Sequence, residues 1–151
     1  MTLLFAFLIG LFAGLRSLTP PAAVAWAAYL GWLILARPLS LIGSLPAVII
    51  MSLLAITEIF FDKLPNTPNR TAPLGLIGRI VTGGFTGACV SLGGGQSAFV
   101  GAGLGVIGGI VGCFGGYQAR ARLAKSLPDF NLALIEDLIA IGGSLFIVSR
   151  F

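Results

Sequence analysis

Apolar residues run along this chain in long blocks, and its polar residues are gathered into short clusters between them. Six blocks can be drawn, over residues 2–15, 22–36, 41–61, 78–92, 98–117 and 131–149. Residues 18–36 and 39–57 carry no charge and approach the ~20 residues that a membrane-spanning helix needs, while residues 80–119 are long enough for two. A core helix of a soluble protein would show a polar face along such a run, and these do not. The pattern predicts an all-α polytopic membrane protein of about six apolar helical segments. The first and fourth segments are short for a full span, so thin, tilted and re-entrant arrangements are all open.

The pattern is broken in a repeated way. Residues 83–116 form one charge-free stretch interrupted by Gly93-Gly94-Gly95-Gln96-Ser97. Near the N-terminus, Gly10-Leu-Phe-Ala-Gly14 leads into Leu15-Arg16-Ser17-Leu18-Thr19-Pro20-Pro21. The two stretches align with gaps, and Ser44-Leu45-Pro46 and Ser126-Leu127-Pro128 each open the last segment of a half. We therefore expect a single transmembrane domain built as two inverted three-segment repeats, about residues 2–63 and 78–150. A proline-rich linker, about residues 64–77, joins them. With three segments per half, the second copy enters the membrane with opposite polarity, the arrangement in which broken helices of many transporters meet near the midplane. Glycines recur at helical spacing at positions 101, 105, 109, 112 and 116, a face suited to close backbone approach within the chain or across a homodimer.

Composition narrows the class. Only 9% of the 151 residues are charged, against roughly 25% in soluble domains, and mean hydropathy is +1.04. The net charge of +4 makes no basic face, so nucleic acid is not an expected partner; the lipid bilayer is. Arg16, Lys63, Arg70, Arg79, Arg120, Arg122 and Lys125 follow segments one, three and five, with only Arg37 and Arg150 on the other side. That bias places the first set in the cytoplasm and both termini outside. The first segment has no basic stretch before it and reads as a membrane segment, not a signal peptide. The chain has no His, and Cys89 and Cys113 lack metal or redox spacing, so neither metal nor cofactor is expected.

Charges at membrane depth mark function or paired structure. Arg16 adjoins a break where Pro20 and Pro21 start a new helix whose first amides suit an anion or a carboxylate of the protein itself. Ser17 and Thr19 belong to the same break, and Gln96 and Ser97 to its counterpart. Three glycines there resemble a phosphate cradle, but no Lys-Ser/Thr pair follows. Glu58 and Asp62 lie four apart on one helix face, and Glu136-Asp137 sits inside an apolar segment. Arg16 is expected to pair with Glu58 or Glu136. Arg16, Ser17, Thr19, Glu58, Asp62, Arg79, Gln96, Ser97, Glu136 and Asp137 are thus the candidates for binding a small solute or ion.

GLRSLTP at residues 14–20, E-x-x-x-DKLP-x-x-P-x-R at 58–70, Arg79 with Gly83, and LIEDLIAIG at 134–142 resemble an uncharacterised bacterial integral-membrane family. The resemblance implies a multi-pass protein of the inner membrane and brings no activity with it. From the residues, a transporter or channel-like protein leads, since carboxylates in a low-dielectric site can exchange protons. A structural or assembly protein with buried charge pairs is the alternative, followed by a lipid-acting membrane enzyme.

Overall fold

The computed structural model describes residues 1–63 and 72–151. Among them are six α-helices and no strand. The first, α1 (Thr2–Leu15), stops where Arg16 turns extended at φ −138° and ψ 110°. The second, α2 (Thr19–Tyr29), starts on Pro20 and Pro21, which have no amide hydrogen to lose in a first turn. It ends early. Gly31 takes φ +77°, a left-handed conformation that suits glycine, and the amides of Trp32 and Leu33 fold back onto the Ala27 carbonyl at 2.9 and 3.1 Å. The segment expected over residues 22–36 is therefore an 11-residue helix, ~16 Å long, followed by irregular chain and a 3-10 turn at Leu39–Gly43.

Ser44 then caps α3 (Leu45–Phe61), its hydroxyl accepting from the Ala47 amide at 3.4 Å. Residues 64–71, with Pro65, Pro68 and Arg70 of the expected linker, lie outside the described residues. α4 (Pro73–Gly93) begins five residues before the expected start at 78, because Pro73 can open a helix and nothing after it breaks one. α5 (Ala98–Leu123) runs past Tyr117 to the basic residues Arg120 and Arg122. α6 (Asp129–Val148) follows Pro128. Of these helices, α4, α5 and α6 are long and apolar enough to cross a membrane, at 21, 26 and 20 residues; α1 and α3 are shorter apolar helices.

Helix α5 lies between α1 and α4, and glycines set the spacing. A Cβ on Gly10 would stand 2.7 Å from the Gly105 Cα, and one on Gly14 would stand 2.5 Å from the Cys113 nitrogen. A Cβ on Gly83 would come within 2.7 Å of the Gly105 carbonyl oxygen. Gly87 meets Gly101 and Gly105 in the same way. Helix backbones can come this close only where side chains are missing. The register also gives directions: α1 runs parallel to α5, and α4 runs antiparallel to both. The glycine face of α5 is covered within one chain.

Ala6, Ile9, Val24, Val90 and Ile147 knit α1, α2, α4 and α6 into a core toward the chain termini. There the Phe5 and Phe151 rings meet edge to face, 6.1 Å apart. The outside is apolar as well: Leu53, Phe60, Leu74, Phe99 and Leu138 are all more than half exposed. Arg16, Arg79 and Asp137 are buried instead. Charges within and apolar residues without are what a membrane protein requires.

Candidate functional site

The chain reverses at Arg16-Ser17-Leu18, between the end of α1 and the start of α2, and this reversal leaves amides without helical acceptors. Glu58, in the last turn of α3, fills that need. One carboxylate oxygen accepts from the Ser17 amide at 2.8 Å and from the Ser17 hydroxyl at 2.6 Å. The other accepts from the Leu18 amide at 2.8 Å. A carboxylate with three donors at a helix N-terminus is strongly held, because the helix dipole and the amides both favour negative charge there. Thr19, the next residue, is buried, and its hydroxyl has no hydrogen-bond partner among the described residues.

Beside this cap sits an ionic cluster. Arg16 is wholly buried, with one terminal nitrogen on the Asp62 carboxylate and the other 2.6 Å from an oxygen of Asp137. The second Asp137 oxygen lies 3.4 Å from the Lys63 ammonium. The two Asp137 contacts are ion pairs without hydrogen-bond alignment, whereas Arg16 to Asp62 is aligned as a hydrogen bond. Two cations and two carboxylates leave these four residues neutral. Without that balance, a buried guanidinium in a low-dielectric setting would be severely penalised.

Arg16 has the expected kind of partner but not the expected ones. Glu58 is committed to the amides of the break. Glu136 stands one position before Asp137, which turns it ~100° around α6 and aims it at Arg120, 3.5 Å away. Asp62 and Asp137 take the arginine instead. Asp62 lies one helical turn beyond Glu58, and Asp137 faces inward, 4% exposed.

Helix α4 brings the backbone of buried Arg79 alongside the middle of α1, since a Cβ on Gly109 would meet both the Arg79 and the Gly10 carbonyl oxygens, at 2.9 and 3.8 Å. Arg16, Ser17, Thr19, Glu58, Asp62 and Asp137 gather at one end of the bundle, with Glu136 on its flank. Gln96 and Ser97 do not join them. Their turn is exposed at the opposite end, held by the Ser91 hydroxyl donating to the Ser97 carbonyl at 2.9 Å and by Gly95 at φ +72°. Gly94 in that turn packs on Thr2, the start of α1, and the other break follows its end, ~20 Å away along a 14-residue helix. The two breaks therefore do not meet at the midplane, because α1 and α4 run in opposite directions.

Arg120 and Asp129, 3.3 Å apart, are a further pair that the sequence did not mark. Arg120 had read only as a topology signal, and the eight residues between the two conceal the tight turn that joins them. No group of three or more Cys, Asp or Glu among the described residues is arranged to hold a metal ion.

Neither the curated proteins nor the solved structures contain a significant match to this chain. A family match runs over residues 3–149, nearly the whole length, and takes in both the break and the ionic cluster. The chain belongs to the family described as a domain of unknown function, DUF4126.

Proposed function

We propose that this is a multi-spanning transporter or channel-like protein of a bacterial inner membrane, and that the α1–α2 break is its binding site for a small anionic group. The observation that carries this reading is Glu58. A carboxylate borrowed from α3 occupies a pocket of donors made by Ser17 and Leu18, beside the buried Arg16. What holds a carboxylate there would hold a free anion of similar size once Glu58 withdraws.

The inverted-repeat reading fits the directions of the helices. α1 opposes α4. α3 arrives at the ionic end while α6 leaves from it, and α2 starts at the end where α5 finishes. In this arrangement Arg16 and Lys63 of the first half bind Asp137 of the second, which makes the ion pairs a closed gate between the halves. The basic end faces the cytoplasm and both termini lie outside.

Flux in proteoliposomes tests the proposal. Vesicles loaded with chloride or nitrate should release the anion when they contain the protein, and a pH dye inside should report coupled proton movement. Glu58→Gln keeps the shape and an acceptor oxygen but cannot exchange a proton, so it should abolish the proton component while the protein stays folded. Anion release no faster than from protein-free vesicles would reject the reading.

One observation favours a structural alternative, namely the neutrality of the Arg16, Asp62, Lys63 and Asp137 set. A purely structural cluster needs balance and nothing more. It predicts that apolar replacement of the balanced set leaves a folded protein.

A further inference from the structure

α5 and α6 are tied at one end by Arg120, which pairs with Asp129 and Glu136, yet along their spans they leave a groove between them. The groove encloses about 330 Å³ and is floored by Leu11 and Leu15 of α1. Val111, Leu132, Ile135 and Ile139 supply apolar wall, and Arg120 and Glu136 are its charged lining. It lies in the half of the bundle that holds the basic end of α5.

Its size and chemistry choose the occupant. Apolar walls give water too few partners to stay. A hydrocarbon chain is thin and flexible enough to lie along an open apolar slot of this kind. At the groove's mouth, Arg120 is engaged by two carboxylates, while Arg122 and Lys125 follow on the exposed surface just beyond. A basic rim above an apolar slot between membrane helices suits an anionic headgroup with its chain below.

We propose that the groove between α1, α5 and α6 binds one acyl chain of an anionic phospholipid whose phosphate rests on Arg122 and Lys125. The site is separate from the α1–α2 break and does not depend on what passes there. Occupied, it would fill the space between α5 and α6 and brace Glu136 against Arg120.

The test uses the full chain in mild detergent, with phosphatidylglycerol as the probe. Phosphatidylglycerol should raise the thermal unfolding midpoint and appear as one retained lipid by native mass spectrometry. Phosphatidylcholine with the same chains, and glycerol phosphate with none, should do neither. Replacing Arg122 and Lys125 by Gln should weaken phosphatidylglycerol binding roughly fivefold per residue. Gly115→Leu should block the chain: Gly115 lines the groove, and a Cβ there meets nothing within 4 Å, so the added side chain can enter without backbone clash. Val111→Trp in the same wall serves if that variant does not fold. Equal stabilisation by phosphatidylcholine would overturn the headgroup assignment, and stabilisation by glycerol phosphate alone would overturn the chain. Retained lipid unaffected by either wall variant would place it elsewhere. A dimer that the wall variants dissociate, with no lipid preference, would assign the groove to a second copy.

Discussion

Arg16 concentrates the energetics at the residue scale. It is fully buried, and both carboxylates that neutralise it are largely buried as well, with side-chain exposures of 15% for Asp62 and 6% for Asp137. Arg16→Leu removes the buried cation that Asp62 and Asp137 share, so we expect a loss of roughly 3–5 kcal/mol, read as a fall in the thermal unfolding midpoint in detergent. Changing Arg16, Asp62 and Asp137 together to Leu should recover most of it, since Lys63 is 27% exposed and its long stem can carry the charge to the surface. If the triple variant is no more stable than Arg16→Leu, charge balance is not what holds this region. Glu58 calls for a different pair of variants. Glu58→Ala strands the Ser17 and Leu18 amides and should cost about 1–3 kcal/mol, while Glu58→Gln, which still accepts, should cost less. Equal losses would mean that the hydrogen bonds are not what Glu58 contributes. The sequence displayed these groups as charges beside apolar segments, Asp62 next to Lys63 and Arg16 alone in its break. It could not pair them, because Arg16 finds Asp62 and Asp137 46 and 121 positions away, and a one-residue offset on α6 decides which of two adjacent acids turns inward.

At the element scale the glycines of α5 lie at the closest backbone approaches to α1 and α4. Gly101, Gly105, Gly109, Gly112 and Gly116 recur at helical spacing in the sequence, and every one is buried. Gly105 is wedged from two sides, with the Gly83 carbonyl on one side and Gly10 on the other. Gly105→Ala should therefore push α4 or α1 away and destabilise by about 1–3 kcal/mol, the usual range for overpacking. Gly103, two positions along the same helix, has nothing within 4 Å of a Cβ, so Gly103→Ala should be neutral or gain up to about 1 kcal/mol in helix propensity. Both are read from thermal unfolding side by side, and equal effects would refute backbone-limited packing. The end of α2 was the least legible boundary. Residues 22–36 are apolar almost throughout, and apolarity says where a chain is buried or in lipid without saying where it stops being helical. The stop lay in one residue, Gly31, whose left-handed conformation is invisible until the neighbouring amides are seen folding back to Ala27.

For the molecule as a whole, the directions of the helices separate two ends. One carries Met1, Phe151, the 93–97 turn and Gln96, and the other carries Arg16, Lys63, Arg120, Arg122 and Lys125. Sequence reading expected the two breaks to converge, and the antiparallel course of α1 and α4 sends them apart. This separation is directly testable. Cys89 and Cys113 are both buried, so the natural chain should react poorly with a membrane-impermeant maleimide and provide a clean background. Gln96→Cys and Lys125→Cys each put one thiol on an exposed position, at opposite ends of α5, a 26-residue helix ~39 Å long. If α5 crosses the bilayer with its basic end in the cytoplasm, intact spheroplasts should label Gln96→Cys and spare Lys125→Cys. Inside-out vesicles should reverse the result. The reversed pattern in spheroplasts would keep the crossing and invert the orientation, against the charge bias of the termini and loops. Labelling of both from one face would be the damaging outcome. α5 would then not cross, and the opposite placement of the two ends on the two faces of the bilayer would fall with it.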